Sequence, residues 1–109
     1  MAEKHDALVA RFRERLIRKK YDVHLKNPFV DYRPDICAVK KRQKLFVEVE
    51  IESTLQGDHT LHQLKTMHKY LIKSRNHRGL LVVPKSVTRE AKFLIRILFD
   101  DERISVVGL

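Results

Sequence analysis

The chain has 109 residues, with 23 Lys and Arg against 14 Asp and Glu, for a formal charge of +9. That length holds one domain, residues 1–109, with a single modest core. No apolar run approaches the roughly 20 residues of a membrane-spanning helix, and the positive excess points to a polyanionic partner, nucleic acid before an anionic membrane surface. The single Cys37 excludes an internal disulfide and suits a reducing cytoplasm. The stretch Met1-Ala2-Glu3-Lys4-His5-Asp6 lacks the apolar segment of a secretory signal, so a cytoplasmic location is expected.

Residues 7–20 have helical spacing: Leu8, Val9, Phe12, Leu16 and Ile17 recur on one side, with Arg11, Arg13, Arg15, Arg18, Lys19 and Lys20 filling the rest. Residues 21–25 alternate and predict a strand, broken at Asn27-Pro28. Residues 36–39 predict a short strand. The charged turn Lys40-Lys41-Arg42-Gln43 makes it a hairpin with the strand that begins at Lys44. After Gln56-Gly57-Asp58, residues 59–74 predict a second helix with Leu61, Leu64, Met67, Leu71 and Ile72 inward; Asn76 to Gly79 should end it. Leu80-Leu81-Val82-Val83 is a continuous apolar run, as in a strand covered on both faces. A last helix, capped by Ser86 or Thr88, carries Ala91, Leu94, Ile95 and Leu98, and residues 104–107 form a final strand. The fold class is α/β: an antiparallel three-strand meander, then a parallel strand–helix–strand unit, in a mixed sheet with helices on both faces.

The chemistry lies in the acidic strand, Lys44-Leu45-Phe46-Val47-Glu48-Val49-Glu50-Ile51-Glu52. Strand periodicity puts Leu45, Val47, Val49 and Ile51 on one face and Glu48, Glu50 and Glu52 on the other. Three carboxylates on one face repel one another and call for a cation. Asp35, in Arg33-Pro34-Asp35-Ile36, offers a fourth from the neighbouring strand. Oxygen donors so grouped suit a hard metal ion. His59, His62 and His68 do not share one helix face and have no second Cys to join, so they do not compose a zinc site. Cys37 fits a small core residue better than a nucleophile. Lys40, Lys41, Arg42 and Lys44 on the hairpin, and Arg11 and Arg15 with Arg18 and Lys19 on the first helix, are candidates for contact with a nucleic-acid backbone.

Pro34-Asp35 followed after a turn by Glu48-Val49-Glu50 resembles the PD-(D/E)xK motif of the restriction-endonuclease-like nucleases. The order of elements is similar to that fold's core, and Gln63 followed by Tyr70 resembles the Gln/Tyr motif many members carry after the catalytic strand. Small archaeal Holliday-junction resolvases are similar in size. The resemblance implies a restriction-endonuclease-like core. It implies Mg²⁺ (or Mn²⁺) held by Asp35 and Glu48, a first-helix residue turned to the metal (His5, with Glu3 as the alternative), and Gln63 in the site. Glu50 stands where the family normally has Lys; either a neighbouring lysine, with Lys65 and Lys69 on the following helix as candidates, or a second metal would then supply the missing charge, or the domain no longer cleaves. The implied function is Mg-dependent endonuclease cleavage of DNA, of branched structures or ends. The alternative is a catalytically inactive nuclease-fold module that binds DNA. A homodimer is expected across the edge of the final strand, in line with the resolvases.

Overall fold

The computed structural model describes residues 2–23 and 32–109. Four strands, β1 (Ile36–Lys40), β2 (Gln43–Val49), β3 (His77–Val83) and β4 (Ile104–Gly108), form one sheet in the order β1-β2-β3-β4. Three helices accompany it: α1 (Ala2–Arg18), α2 (Asp58–Leu71) and α3 (Thr88–Leu98). β1 and β2 are antiparallel, whereas β2–β3 and β3–β4 are parallel, so α2 and α3 are crossovers. The protein is an α/β fold on a mixed open sheet. Of the expected meander strand at residues 21–25, the described part is a single bridge between Asp22 and Val39. His24, Leu25 and the break at Asn27-Pro28 lie outside the described residues.

Alternation along β2 divides the core. Leu45, Val47 and Val49 pack with Ile36, Ala38 and Val82 against Leu8, Phe12 and Leu16 of α1. Phe46 turns the other way, with Cys37, Leu81 and Val83, against Leu64, Met67 and Leu71 of α2 and Ala91 and Ile95 of α3. Each of the buried Val, Leu, Ile, Phe and Met side chains among these contributes roughly 1.5–3 kcal/mol of burial free energy. Cys37 is a buried core residue, as expected, and burial pushes its thiol pKa up, away from reactivity.

Several boundaries move for local reasons. α1 starts at Ala2 rather than residue 7, so His5 and Asp6 are helical, and Glu3 in the first turn suits the positive end of the helix dipole. It ends at Arg18. Lys20 takes a left-handed φ of 71°, its N–H donates to the Ile17 carbonyl at 2.9 Å, and that of Tyr21 donates to the Leu16 carbonyl at 3.0 Å. This closes the helix as a Schellman motif with lysine in the place glycine usually takes. His77 to Gly79, expected to terminate α2, instead open β3. A Cβ on Gly79 would sit 2.6 Å from Met67 Sδ and 3.0 Å from Leu71 Cδ1, so the missing methyl lets α2 close on the sheet. Neither Ser86 nor Thr88 caps α3. Val87 holds the cap position with no side-chain bond, after a 3₁₀ turn at Lys85–Val87.

At the other end of the sheet Asp101 ties three elements together. Its carboxylate accepts bonds from Arg103 Nε at 3.1 Å and Nη2 at 2.9 Å and lies 3.0 Å from His68 Nε2 on α2. Hydrogen bonds from Arg103, with help from His68, hold the Asp101 pKa down to about 2. A carboxyl whose pKa is lower folded than unfolded stabilises the fold above its unfolded value, and that contribution fades as pH falls through the folded value. Asp101→Asn should therefore cost roughly 1–2 kcal/mol at pH 7. Denaturant unfolding should show the difference constant above about pH 4 and vanishing towards pH 2; a pH-independent loss would contradict this role.

Candidate metal and phosphodiester site

The register of the hairpin builds the site. Ile36 pairs with Val47, which sets Asp35 across from Glu48 at the carboxyl end of β2. Asp35 follows Pro34, and its Oδ2 accepts a 2.8 Å bond from the Val49 amide, locking the carboxylate against the next strand. Glu48 lies on the face covered by α2 and is only 3% exposed. Tyr32 donates to its Oε1 at 3.1 Å. Glu50, 7% exposed, extends the same row past the end of β2. Thr54 donates to its Oε2 at 2.6 Å, and the Ile51 amide donates to the Thr54 hydroxyl at 3.1 Å. Thr54 is itself held through its carbonyl, which accepts from Thr60 at 2.7 Å.

His5, Asp35, Glu48, Glu50 and Gln63 line one cavity of about 520 Å³, with Thr54, Asp58, His59 and Thr60 completing its wall. This brings together five of the site residues expected from sequence. His5 reaches Asp35 Oδ2 through Nε2 and Asp6 Oδ1 through Nδ1, both at 3.3 Å. Partial burial alone would depress its imidazole, but the charge of Asp35, the bonds to both acids and the charge of Glu50 outweigh it and raise the pKa. Gln63 Nε2 donates to the Arg33 carbonyl at 3.4 Å, bracing the turn that presents Asp35.

Other expectations are corrected. Glu52 does not join the row. The strand ends at Val49, the chain turns, and Glu52 pairs with Lys4 of α1 at 2.8 Å in solvent. Lys65 and Lys69 do not line the cavity, nor does any other lysine or arginine among the described residues; Lys69 Nζ lies 5.8 Å above the Tyr70 ring. Tyr70 is not at the site: it stacks on Tyr32 at 5.8 Å in the core. The hairpin cations sit at the far end of β2. At about 3.3 Å per residue, Lys44 is some 13 Å and Arg42 some 20 Å from Glu48. Lys40 covers the Tyr21 ring at 5.4 Å. Of the histidines, His59 borders the cavity while His68 serves Asp101.

Sequence reasoning missed Tyr32 and Thr54. A tyrosine three residues before Asp35, and a Ser-Thr pair just past the acidic strand, were the available signals.

Among the described residues, no group of three or more His, Cys, Asp and Glu is drawn together tightly enough to hold a metal as it stands. Each carboxylate spends one oxygen on the protein. Among the described residues, Asp35 Oδ1, Glu48 Oε2 and Glu50 Oε1 remain uncommitted. Burial first, then the charges of Asp35 and Glu50, push the Glu48 pKa up to about 9, against the opposing bond from Tyr32. Comparison with protein-family models, curated proteins and solved structures gives no match for the chain.

Because the folded pKa of Glu48 lies above its unfolded value, stability is undiminished below the unfolded pKa and falls as pH rises towards 9. At pH 7 the buried acid costs on the order of 3 kcal/mol. Glu48→Gln keeps the acceptor for Tyr32 and should raise the melting temperature in EDTA at pH 7–8, with no gain near pH 4. Equal melting temperatures at pH 8 would remove the burial argument.

Proposed function

We propose that the chain is a divalent-metal-dependent nuclease domain of the PD-(D/E)xK type, hydrolysing DNA phosphodiester bonds, on branched structures or ends. The observation that carries this reading is the convergence of Asp35 and Glu48, from adjacent antiparallel strands, on one cavity with Glu50 beside them. The placement of the acidic hairpin between α1 and the crossover α2, with Gln63 on α2 facing the cavity, supports the restriction-endonuclease-like core.

The donor set fits Mg²⁺ or Mn²⁺. Hard cations take carboxylate oxygens and keep much of their water, and a cation also relieves the crowding that drives Glu48 to hold a proton. When bound, it would supply charge to bind the phosphate and acidify a water. Asp35 and Glu48 are the residues to hold it. Val49 N–H and His5 fix the Asp35 carboxylate, so His5 acts here through Asp35. Glu50, anchored through Oε2 by Thr54, takes a proton at Oε1 from the attacking water.

A second reading, an inactive nuclease-fold module that binds DNA, is favoured by one fact. The family's Lys is Glu50, and no lysine lines the cavity among the described residues. Calorimetry with Mn²⁺ and cleavage of linear, flapped and four-way-junction DNA separate the two. The nuclease reading expects Mn²⁺ binding that Asp35→Ala abolishes. It also expects Mg²⁺- or Mn²⁺-dependent cleavage that Glu50→Gln slows by about a hundredfold, with DNA binding kept. Absent cleavage by the wild-type protein, with DNA binding intact, selects the inactive module.

A further inference from the structure

α1 carries three arginines that no core or cavity contact explains. Arg11, Arg15 and Arg18 fall at helical spacing beside the inward Leu8, Phe12 and Leu16. They line a groove of about 410 Å³ whose opposite wall is Lys85, Gly108 and Leu109, at the carboxyl ends of β3 and β4. That wall is fixed: the Leu109 amide donates to the Val83 carbonyl at 2.8 Å. Glu14 also lines the groove, but among the described residues none of the four cations is ion-paired. Four cations against the single carboxylate of Glu14 leave the groove with an excess of positive charge that favours an anion.

The groove adjoins the acidic cavity. Lys4 of α1 pairs with Glu52, and Ser86, next to Lys85, donates to Glu52 at 3.4 Å. These contacts tie α1 and the turn at Lys85 to the segment after Glu50, and α1 lines both recesses, with His5 in the cavity and Arg11, Arg15 and Arg18 in the groove. At 1.5 Å per residue, Arg11 to Arg18 spans about 10 Å, the rise of about three phosphates along one strand of a B-form duplex.

We propose that this groove seats the phosphodiester backbone of a nucleic-acid strand beside the bond presented to the cavity, with Arg11, Arg15, Arg18 and Lys85 as its phosphate contacts. The proposal rests on the nuclease-fold reading for its choice of strand. A membrane surface fits less well. The cations rim a concavity, Arg11, Arg18 and Lys85 exposed and Arg15 half-buried, and Phe93 and Ile97, each 64% exposed, lie on α3 at the opposite face of the sheet. On α1, Ile17 is the exposed large aliphatic.

The test is fluorescence anisotropy of labelled single-stranded and duplex DNA in EDTA across a salt series. Arg15→Ala with Lys85→Ala is compared with a charge-matched control, Lys92→Ala with Arg96→Ala on exposed α3 positions. Thermal unfolding checks that both variants are folded. The groove variant should weaken binding by about tenfold or more and flatten the slope of log K against log salt by roughly 1.4–1.8, the value of two phosphate contacts. The control should move neither to that extent. Equal losses in the two variants overturn the groove, as does a wild-type protein that binds no DNA. Wild-type binding to phosphatidylserine vesicles that is lost in the groove variant, without a loss of DNA binding, assigns the groove to a lipid surface and overturns the proposal. Cleavage is read separately with Asp35→Ala. A groove-dependent DNA affinity without metal-dependent cleavage keeps the groove and rejects the nuclease.

Discussion

A hairpin closed by Lys41 and Arg42 fixes how β1 lies on β2, and the site depends on that register. Lys41 takes a left-handed φ of 56° to make the turn. With Lys40 against Gln43, five pairs later Asp35 faces Glu48. A slip of one residue would throw Glu48 to the α1 side and Val47 or Val49 into the cavity. The hydrophobic alternation of Leu45, Val47 and Val49 against α1 opposes such a slip, so the packing of one face positions the carboxylates on the other.

The cost of this arrangement is concentrated in Glu48. A carboxyl buried beside Asp35 and Glu50 gains nothing for the fold by being ionised. The surroundings make the burial tolerable rather than favourable: Tyr32 gives one hydrogen bond from the core side, and Thr54 gives Glu50 another. The rest of the structure is well satisfied, with no buried side-chain polar atom left without a partner among the described residues. A buried acidic row in a core whose other polar groups are satisfied is the pattern expected of a functional site. α1 lines both the acidic cavity and the basic groove, so acids and cations occupy two recesses along one helix.

Much of this was legible in the sequence where periodicity had a burial partner. Leu8, Phe12 and Leu16 of the α1 stripe, the two faces of β2 and the buried part of the Leu80–Val83 run, Leu81 to Val83, emerged from spacing alone because core packing enforces them, whereas Ile17, expected on the same side of α1, is exposed. The pairing of Asp35 with Glu48 followed from a short turn between two strands. What spacing could not reveal was where regular structure stopped. Glu52 continues the period-two pattern, yet the chain turns after Val49 and Lys4 claims the carboxylate. The start of β3 was hidden because His77, Arg78 and Gly79 resemble a helix end, and the packing of Gly79 on Met67 becomes visible only in three dimensions. Hydrogen-bond partners such as Tyr32 and Thr54 leave no periodic trace at all.

Gly79 also bears on the site from a distance. α2 is fastened at its amino end, where Thr60 bonds the Thr54 carbonyl and Gln63 borders the cavity, and it rests on Gly79 through Met67 and Leu71 two turns further on. The helix is thus a lever with its fulcrum at the cavity wall and its far arm seated on an absent methyl group. A side chain at residue 79 would press on Met67 and Leu71, so the seating of α2, and through it the position of Gln63 on the cavity wall, depends on a residue that does not line the cavity.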